Sequence, residues 1–181
     1  AQIALAYSAN LTHKNSVVIV EKRKKLFSLT EYAKRLGAYI YEVPQPAYLE
    51  KILEYSKKYY EQDSKNRFLI KFGADDKLFI EELEKNIKSA WGKRKNPDRL
   101  WLVGGSAILL SVLYKVFPNT FFLVVQVGKT IWEDQMNIER TKLFISKERF
   151  KNVAINQPPY PTVSTYDAKL WTFVKKFSKD G

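Results

Sequence analysis

The sequence contains no cysteine and only one histidine, His13. Without cysteine the chain can form no disulfide, no thiolate nucleophile, no iron–sulfur ligation and no cysteine-based zinc site. A single histidine is too few for a histidine-rich metal site. We therefore expect no metal in this protein.

Long apolar runs are also missing. A membrane-spanning helix needs a stretch of about 18 apolar residues without charge, and the sequence contains none. Residues 1–10 lack the basic start and apolar core of a secretory leader. We expect a cytoplasmic protein that has no membrane partner.

Apolar and aromatic residues are plentiful, at 45% and 14% of 181 residues, so the chain can bury a real core. The length predicts one domain over residues 1–181. The net charge of +12 favours anionic partners such as nucleic acid or phosphorylated metabolites. A solvated, lysine-rich surface is the alternative explanation of this charge.

Continuous β-branched and apolar runs predict buried strands at residues 17–20, 38–43, 100–103 and 121–127. Segments with helical spacing lie between them, and residues 68–72 resemble a further short strand. This alternation predicts a doubly wound α/β protein, three-layered and Rossmann-like, with a mainly parallel sheet and helices on both faces.

The rhythm of strands and helices breaks after residue 128. Residues 129–181 therefore read as an irregular C-terminal extension. Within it we predict an edge strand at residues 143–145 and a final helix at residues 167–177, with Asp167 as its N-cap.

The clearest candidate site is the turn that follows the strand at residues 100–103. It consists of Gly104, Gly105, Ser106 and Ala107 and leads into an apolar helix predicted at residues 106–117. Glycines allow close approach, and the N–H groups of a first helical turn attract anions, so the turn predicts a phosphate site. The sequence matches neither G-x-G-x-x-G nor a P-loop. A tight turn that serves packing alone is the competing interpretation.

Basic residues cluster in two places that could meet nucleic acid. The first group follows the strand at residues 17–20 and the second precedes the strand at residues 100–103. A second function class is therefore a non-catalytic basic protein that binds nucleic acid or assembles with acidic partners. The residues concerned are Lys22, Arg23, Lys24, Lys25, Lys93, Arg94, Lys95 and Arg99.

Three stretches together resemble one known family. They are LWLVGGSAILLSVLYKVFPNTFFLVVQVG, AQIALAYSANLTHKNSVVIVEK and LTEYAKRLGAYIYEV. They are similar to the small lobe and phosphate loop of fold-type II pyridoxal-phosphate enzymes, the tryptophan synthase β and threonine synthase group. The resemblance covers roughly residues 1–128. It implies that the turn at Gly104 to Ala107 is a phosphate cup, that pyridoxal phosphate is the cofactor, and that an active protein would be a lyase or deaminase.

The chain also departs from that family. The family's Schiff-base lysine and its Ser/Gly-Asn turn lie upstream of the helix with which this sequence begins. Gln126 stands where the family usually has an acidic residue, and Ser164 or Thr165 would be a loose partner for the pyridine nitrogen. Lys71 or Lys129 near the glycine turn could supply an amine instead, although a solvated lysine is the plainer interpretation.

Three explanations follow from the departures: a fragment, a relocated lysine, or a fold reused without chemistry. The first corresponds to a truncated two-lobe fold. Apolar surface left bare by a missing lobe would predict a homodimer or a partner chain.

Overall fold

The computed structural model describes residues 1–177, in which strands and helices alternate except at residues 49–91, where two helices follow each other with no strand between them. The chain divides into two units, Ala1–Leu69 and Ile70–Gly181. Each has its own parallel sheet and its own cluster of buried side chains. The expectation that residues 1–181 fold as one domain stays a prediction.

The first unit contains a two-stranded parallel sheet in which Val17 aligns with Tyr39. Val18 and Ile40 pack with Ala6 and Ala33 of two helices, whereas Tyr41 on the alternate side contacts Tyr55 of a third helix. Helices thus cover both faces, as expected for parallel strands. The elements are α1 (Gln2–Leu11), β1 (Val17–Glu21), α2 (Ser28–Arg35), β2 (Tyr39–Val43) and α3 (Leu49–Glu61).

The second unit contains a three-stranded parallel sheet with the order β3-β4-β5. Short 3-10 turns lie at Phe72–Ala74, Glu133–Gln135, Ile138–Arg140 and Asp167–Lys169. The main elements are α4 (Lys77–Trp91), β3 (Arg99–Gly104), α5 (Ile108–Val116), β4 (Phe121–Gln126), β5 (Thr141–Ile145) and α6 (Leu170–Phe177).

Alternate residues of this sheet bury opposite faces. Leu102 and Phe122 pack in the core cluster with Leu110 of α5. On the other face Trp101 stacks on Phe144, with ring centroids 5.3 Å apart, and Phe144 contacts the aromatic rings of α6. Helices again lie on both faces of the sheet.

The predicted fold class is confirmed: the protein is mixed α/β, with parallel strands flanked by helices. The strands nevertheless form two sheets rather than one. The strand predicted at residues 68–72 is wrong, because Phe68 is 78% exposed and the chain turns into the 3-10 segment at Phe72. The predicted edge strand is confirmed in β5.

Two helix starts differ from the predictions. The helix predicted to begin at Ser106 begins at Ile108, because Ala107 has a left-handed backbone. The helix predicted from Asp167 opens as a 3-10 turn that Tyr166 precedes, and its α-helical part begins at Leu170. Asp167 is therefore not the N-cap of α6.

Candidate functional site: the turn after strand β3

The predicted phosphate turn lies at the carboxyl edge of the three-stranded sheet. Strands β3 and β4 are parallel, and Gly104 aligns with Gln126 at their last paired position. The carboxyl ends of parallel strands are where open α/β proteins bind ligands. Helix α5 begins four residues after Gly104, so the turn joins a strand end to a helix N-terminus.

Ala107 has a left-handed backbone, with φ 62° and ψ −4°. This conformation is uncommon in residues other than glycine, asparagine and aspartate, and it costs on the order of 1–3 kcal/mol. Such strain persists only where the surroundings hold it, and it clusters at functional sites. Ala107 itself is 8% exposed and is part of the core cluster.

Neither Gly104 nor Gly105 has a positive φ, so no left-handed backbone requires glycine at these positions. The reason for glycine here is the close approach of neighbouring side chains. A Cβ on Gly104 would overlap Cδ1 of Ile131 and lie 3.0 Å from Cγ1 of Val124. A Cβ on Gly105 would lie 2.9 Å from the hydroxyl of Tyr166. Side chains therefore press on the turn from two directions.

Gln126 anchors the segment that covers Gly104. The backbone N–H of Ile131 donates a buried hydrogen bond of 2.7 Å to Oε1 of Gln126. Ile131 is itself 4% exposed, and its side chain lies against Gly104. Gln126, which stands where the resembled family usually has an acidic residue, thus holds the backbone of Ile131 in this chain.

Several backbone N–H groups at the turn have no acceptor among the residues that the structure describes. Within residues 1–177, the backbone N–H groups of Gly105, Ser106 and Ala107 donate to no other residue. The first N–H groups of α5 lack partners inside the helix, as at any helix start, and the helix dipole adds positive potential there. Such an arrangement attracts anions.

The side chain of Ser106 lies against a second turn. A Cβ on Gly73, which has a left-handed backbone, would lie 2.6 Å from Oγ of Ser106. The Ser106 hydroxyl forms no hydrogen bond with any residue that the structure describes. It is a further donor available at the turn.

A cavity of about 300 Å³ opens beside the turn. This volume lies at the lower end of the range for small-molecule sites. The cavity brings all four predicted residues of the turn together with residues of the last helical segment. Its lining comprises Leu102, Val103, Gly104, Gly105, Ser106, Ala107, Leu109, Leu110, Tyr166, Asp167 and Leu170.

Tyr166 is a lining residue that the sequence did not suggest. Its ring packs edge-on against Phe150, with centroids 6.1 Å apart. Burial raises the pKa of its phenol, and the nearby charge of Asp167 raises it further. The Tyr166 phenol is therefore held in its neutral, hydrogen-bonding form.

Lys169 is fully buried and is a second residue that the sequence did not suggest. Its Nζ donates to the backbone carbonyls of Arg149 (2.8 Å) and Phe150 (3.2 Å). Burial lowers the pKa of this amine, and Glu148 partly offsets the effect. The signal that could have found it is its spacing four residues before Phe173, which would lie on the same face of the helix predicted at residues 167–177; in the structure Lys169 ends the 3-10 turn that precedes α6.

The lysines proposed as alternative amines lie elsewhere. Lys71 and Lys129 are both exposed, and neither lines the cavity. The Nζ of Lys129 lies 5.2 Å from the ring centroid of Phe72. Ser164 and Thr165 do not line the cavity either, whereas the next two residues do.

The two basic groups are partly engaged within the chain. Arg23 pairs with Glu21 at 2.5 Å, and Lys95 lies 3.7 Å from Asp98. The Arg94 side chain donates to the carbonyl of Ala90. Lys22 to Lys25 belong to the first unit, and Lys93 to Arg99 belong to the second. Nucleic-acid binding stays a prediction.

Residues 1–177 contain neither a candidate metal cluster nor a candidate membrane span. No group of three or more histidine, aspartate or glutamate side chains in this part of the chain is placed to hold a metal ion. No helix there has the length and apolar character to cross a bilayer.

Solved structures share this architecture. One is the crystal structure of a T.th. threonine deaminase, with a TM-score of 0.50 and 17% identity over 70% of this chain and 41% of that chain. Another is a hydrogen sulfide-producing enzyme from Fusobacterium nucleatum, with a TM-score of 0.53 and 12% identity over 82% of this chain and 52% of that chain. The likeness is one of fold.

Both solved structures have the fold of type II pyridoxal-phosphate enzymes, so the resemblance seen in the sequence is confirmed at the level of the fold. The chain spans about half the length of these proteins. No protein-family model and no curated protein matches the sequence.

Proposed function

We propose that this chain binds a small phosphorylated molecule at the turn Gly104 to Ala107, with pyridoxal phosphate as the favoured ligand. The observation that carries the proposal is the set of three consecutive backbone N–H groups, Gly105 to Ala107, that donate to no described residue and border a cavity. A phosphate has acceptor oxygens that match such donors, and the positive end of α5 adds attraction.

The residues of the turn suit the phosphate of pyridoxal phosphate. The backbone N–H groups and the Ser106 hydroxyl would hold its oxygens, and the Tyr166 ring would border the rest of the molecule. In enzymes this cofactor supplies an electron sink. Among the described residues no lysine lines the cavity, so binding is what the site supports, and lyase or deaminase activity would require an amine from elsewhere.

The fold supports the choice of ligand. The sequence resembles the pyridoxal-phosphate group in the stretch that contains this turn, and two solved structures with the fold of that group share the architecture. A phosphate site at a strand end also agrees with the general position of ligands in open α/β sheets.

Binding can be tested by the shift in melting temperature that pyridoxal phosphate or inorganic phosphate produces. A ligand that binds only the folded state stabilises it by about 2.7 kcal/mol at a concentration of 100 times Kd. We expect Gly105→Asp to abolish the shift, because its carboxylate would enter the cup. Gly105→Asn is the matched control: it has the same size without the charge, so it should retain more of the shift.

Unchanged melting of the wild type with both ligands would refute the proposal. An equal loss in both variants would show that the side-chain volume, rather than the charge, is responsible.

Covalent attachment is a separate question, which is answered by borohydride reduction with pyridoxal phosphate and peptide mass spectrometry. One lysine modified in high yield would indicate an enzyme, whereas no adduct or scattered labelling would indicate binding without catalysis.

A further inference from the structure

The first unit carries a basic loop where strand β1 ends. This loop, residues 22–27, contains four positive side chains and no acidic one. Arg23 pairs with Glu21 at 2.5 Å, but the other three positive side chains are exposed and form no ion pair within residues 1–177. They are Lys22, Lys24 and Lys25. Three positive charges on one short segment therefore have no counter-charge among the described residues.

A second segment leaves the sheet of this unit at the same edge. Strands β1 and β2 are parallel, and Glu21 aligns with Val43 at their last paired position. Residues 44–48 therefore start beside the basic loop. The backbone N–H of Ala47 donates a hydrogen bond of 3.2 Å to Oε1 of Glu21, which ties this segment to the end of β1. The basic loop and the second segment thus belong to one surface of the first unit.

Each of the two segments ends in an exposed aromatic ring. Phe27 is 55% exposed and directly precedes α2, and Tyr48 is 76% exposed and directly precedes α3. Both residues hold N-cap positions, where serine, threonine, aspartate and asparagine are preferred, yet neither side chain caps its helix. Neither ring belongs to the buried cluster of this unit. The guanidinium carbon of Arg23 lies 4.5 Å from the Phe27 centroid, and more than half of that side chain still faces solvent.

Acidic side chains limit where a polyanion could approach this surface. Glu42 and Glu50 are exposed on either side of the second segment, and they would repel a phosphate there. Beside the basic loop the adjoining carboxylate, Glu21, is already paired with Arg23. A polyanion would therefore follow the basic loop, whereas the second segment offers the ring of Tyr48.

We propose that this edge of the first unit binds single-stranded nucleic acid. The three lysines of the basic loop would lie against phosphates, and the rings of Phe27 and Tyr48 would stack on bases, which is how proteins hold single strands without reading their sequence. The exposed rings favour single strands, because the bases of a duplex are already stacked on each other. This binding is separate from the proposed phosphate site, which belongs to the second unit.

Fluorescence anisotropy with a labelled oligothymidylate of about 15 nucleotides, near the largest site of one single-strand-binding domain, measures this binding. Three phosphate contacts predict that log K falls with log salt with a slope of about −2. Reversal of all three lysines (Lys22→Glu, Lys24→Glu, Lys25→Glu) should weaken binding about tenfold or more at low salt and flatten the slope.

The matched control makes the same change in net charge at the opposite edge of the same sheet. Lys14 precedes β1, and Lys34 and Arg35 precede β2; all three are exposed and form no ion pair within residues 1–177. The triple variant Lys14→Glu, Lys34→Glu, Arg35→Glu should therefore keep most of the affinity. Equal losses in the two triple variants would overturn the inference, because net charge alone would then explain binding.

The role of the rings is tested without any change of charge. Tyr48→Ala should weaken binding about tenfold and leave the salt slope unchanged, whereas Tyr48→Phe should bind like the wild type because it keeps the ring. No binding of the oligonucleotide by the wild type, or equal binding of the same strand annealed to its complement, would overturn the inference. Tighter binding of polyglutamate would also overturn it and would identify an acidic polypeptide as the partner. None of these outcomes bears on the thermal-shift test of the phosphate turn.

Discussion

The close approach between Ile131 and Gly104 can be measured with two small substitutions. The perturbation is Gly104→Ala, which adds one methyl group where Cδ1 of Ile131 already lies and at 3.0 Å from Cγ1 of Val124. Because Gly104 has no positive φ, the backbone itself accepts alanine. The effect on stability therefore reports packing rather than backbone strain.

Overpacking of a core position costs about 1–3 kcal/mol, and replacing glycine in a strand returns about 0.5–1 kcal/mol. We expect Gly104→Ala to lower the free energy of unfolding by about 1–2 kcal/mol. In a chain of this size, each kcal/mol lowers Tm by about 2–4 °C. Ile131→Val removes the clashing Cδ1 and costs about 0.5–1.5 kcal/mol alone.

The double variant should be less destabilised than the sum of the two single variants, by about 1 kcal/mol. Urea unfolding of all four proteins measures this coupling energy. Strict additivity, or a Gly104→Ala variant as stable as the wild type, would refute the argument that Ile131 presses on the turn.

Three further predictions concern other parts of the molecule. Asp76 accepts hydrogen bonds from the first turn of α4, so Asp76→Ala should cost about 1 kcal/mol of unfolding free energy in urea, whereas Asp75→Ala should stay within about 0.5 kcal/mol of the wild type. Burial lowers the pKa of Lys169. Between this lowered pKa and the ordinary value of 10.5 the unfolded chain binds a proton that the folded chain does not, so the free energy of unfolding should rise as pH increases through that range. Lys169→Met should flatten this rise in thermal melts, and an unchanged slope would contradict the reasoning. If the chain binds nucleic acid, affinity for mixed-sequence DNA or RNA should fall steeply with salt, and charge reversal at residues 22–25 or 93–95 should abolish binding; binding that ignores salt would argue against this function.

Much of the architecture could be predicted because strong local patterns agree with the fold. The β-branched run at residues 17–20 and the apolar run at residues 121–127 both form parallel strands, of which β4 is largely buried and β1 is half-buried with Val18 in the core. In each case a continuous apolar stretch, too short for a helix, leaves little alternative to a strand covered on both faces.

The failures arise where tertiary contacts outweigh local pattern. Residues 68–72 are largely apolar, yet Phe68 and Ile70 are exposed and no strand within residues 1–177 pairs with them. Ala107 looks like an ordinary helical residue, but the neighbouring Gly104 and Gly105 are tightly packed and the left-handed backbone falls on the alanine instead. Propensity alone does not carry this information.

The candidate site was predicted only in part for a related reason. The glycine turn could be located because its residue types are unusual after a strand. Tyr166 and Asp167 are more than 50 residues further along the chain, and only the packing of the last helical segment brings them to the same cavity. A sequence pattern without long-range contacts cannot join two such segments.

The donors of the turn belong to the main chain, and this affects how the site would change over time. A substitution of Ser106 or Ala107 by any residue except proline keeps a backbone N–H group in the chain at that position, because every residue except proline carries one. Side-chain groups such as a catalytic lysine are lost by a single change. A change that removes such a side chain would therefore leave the main-chain donors of the turn in place.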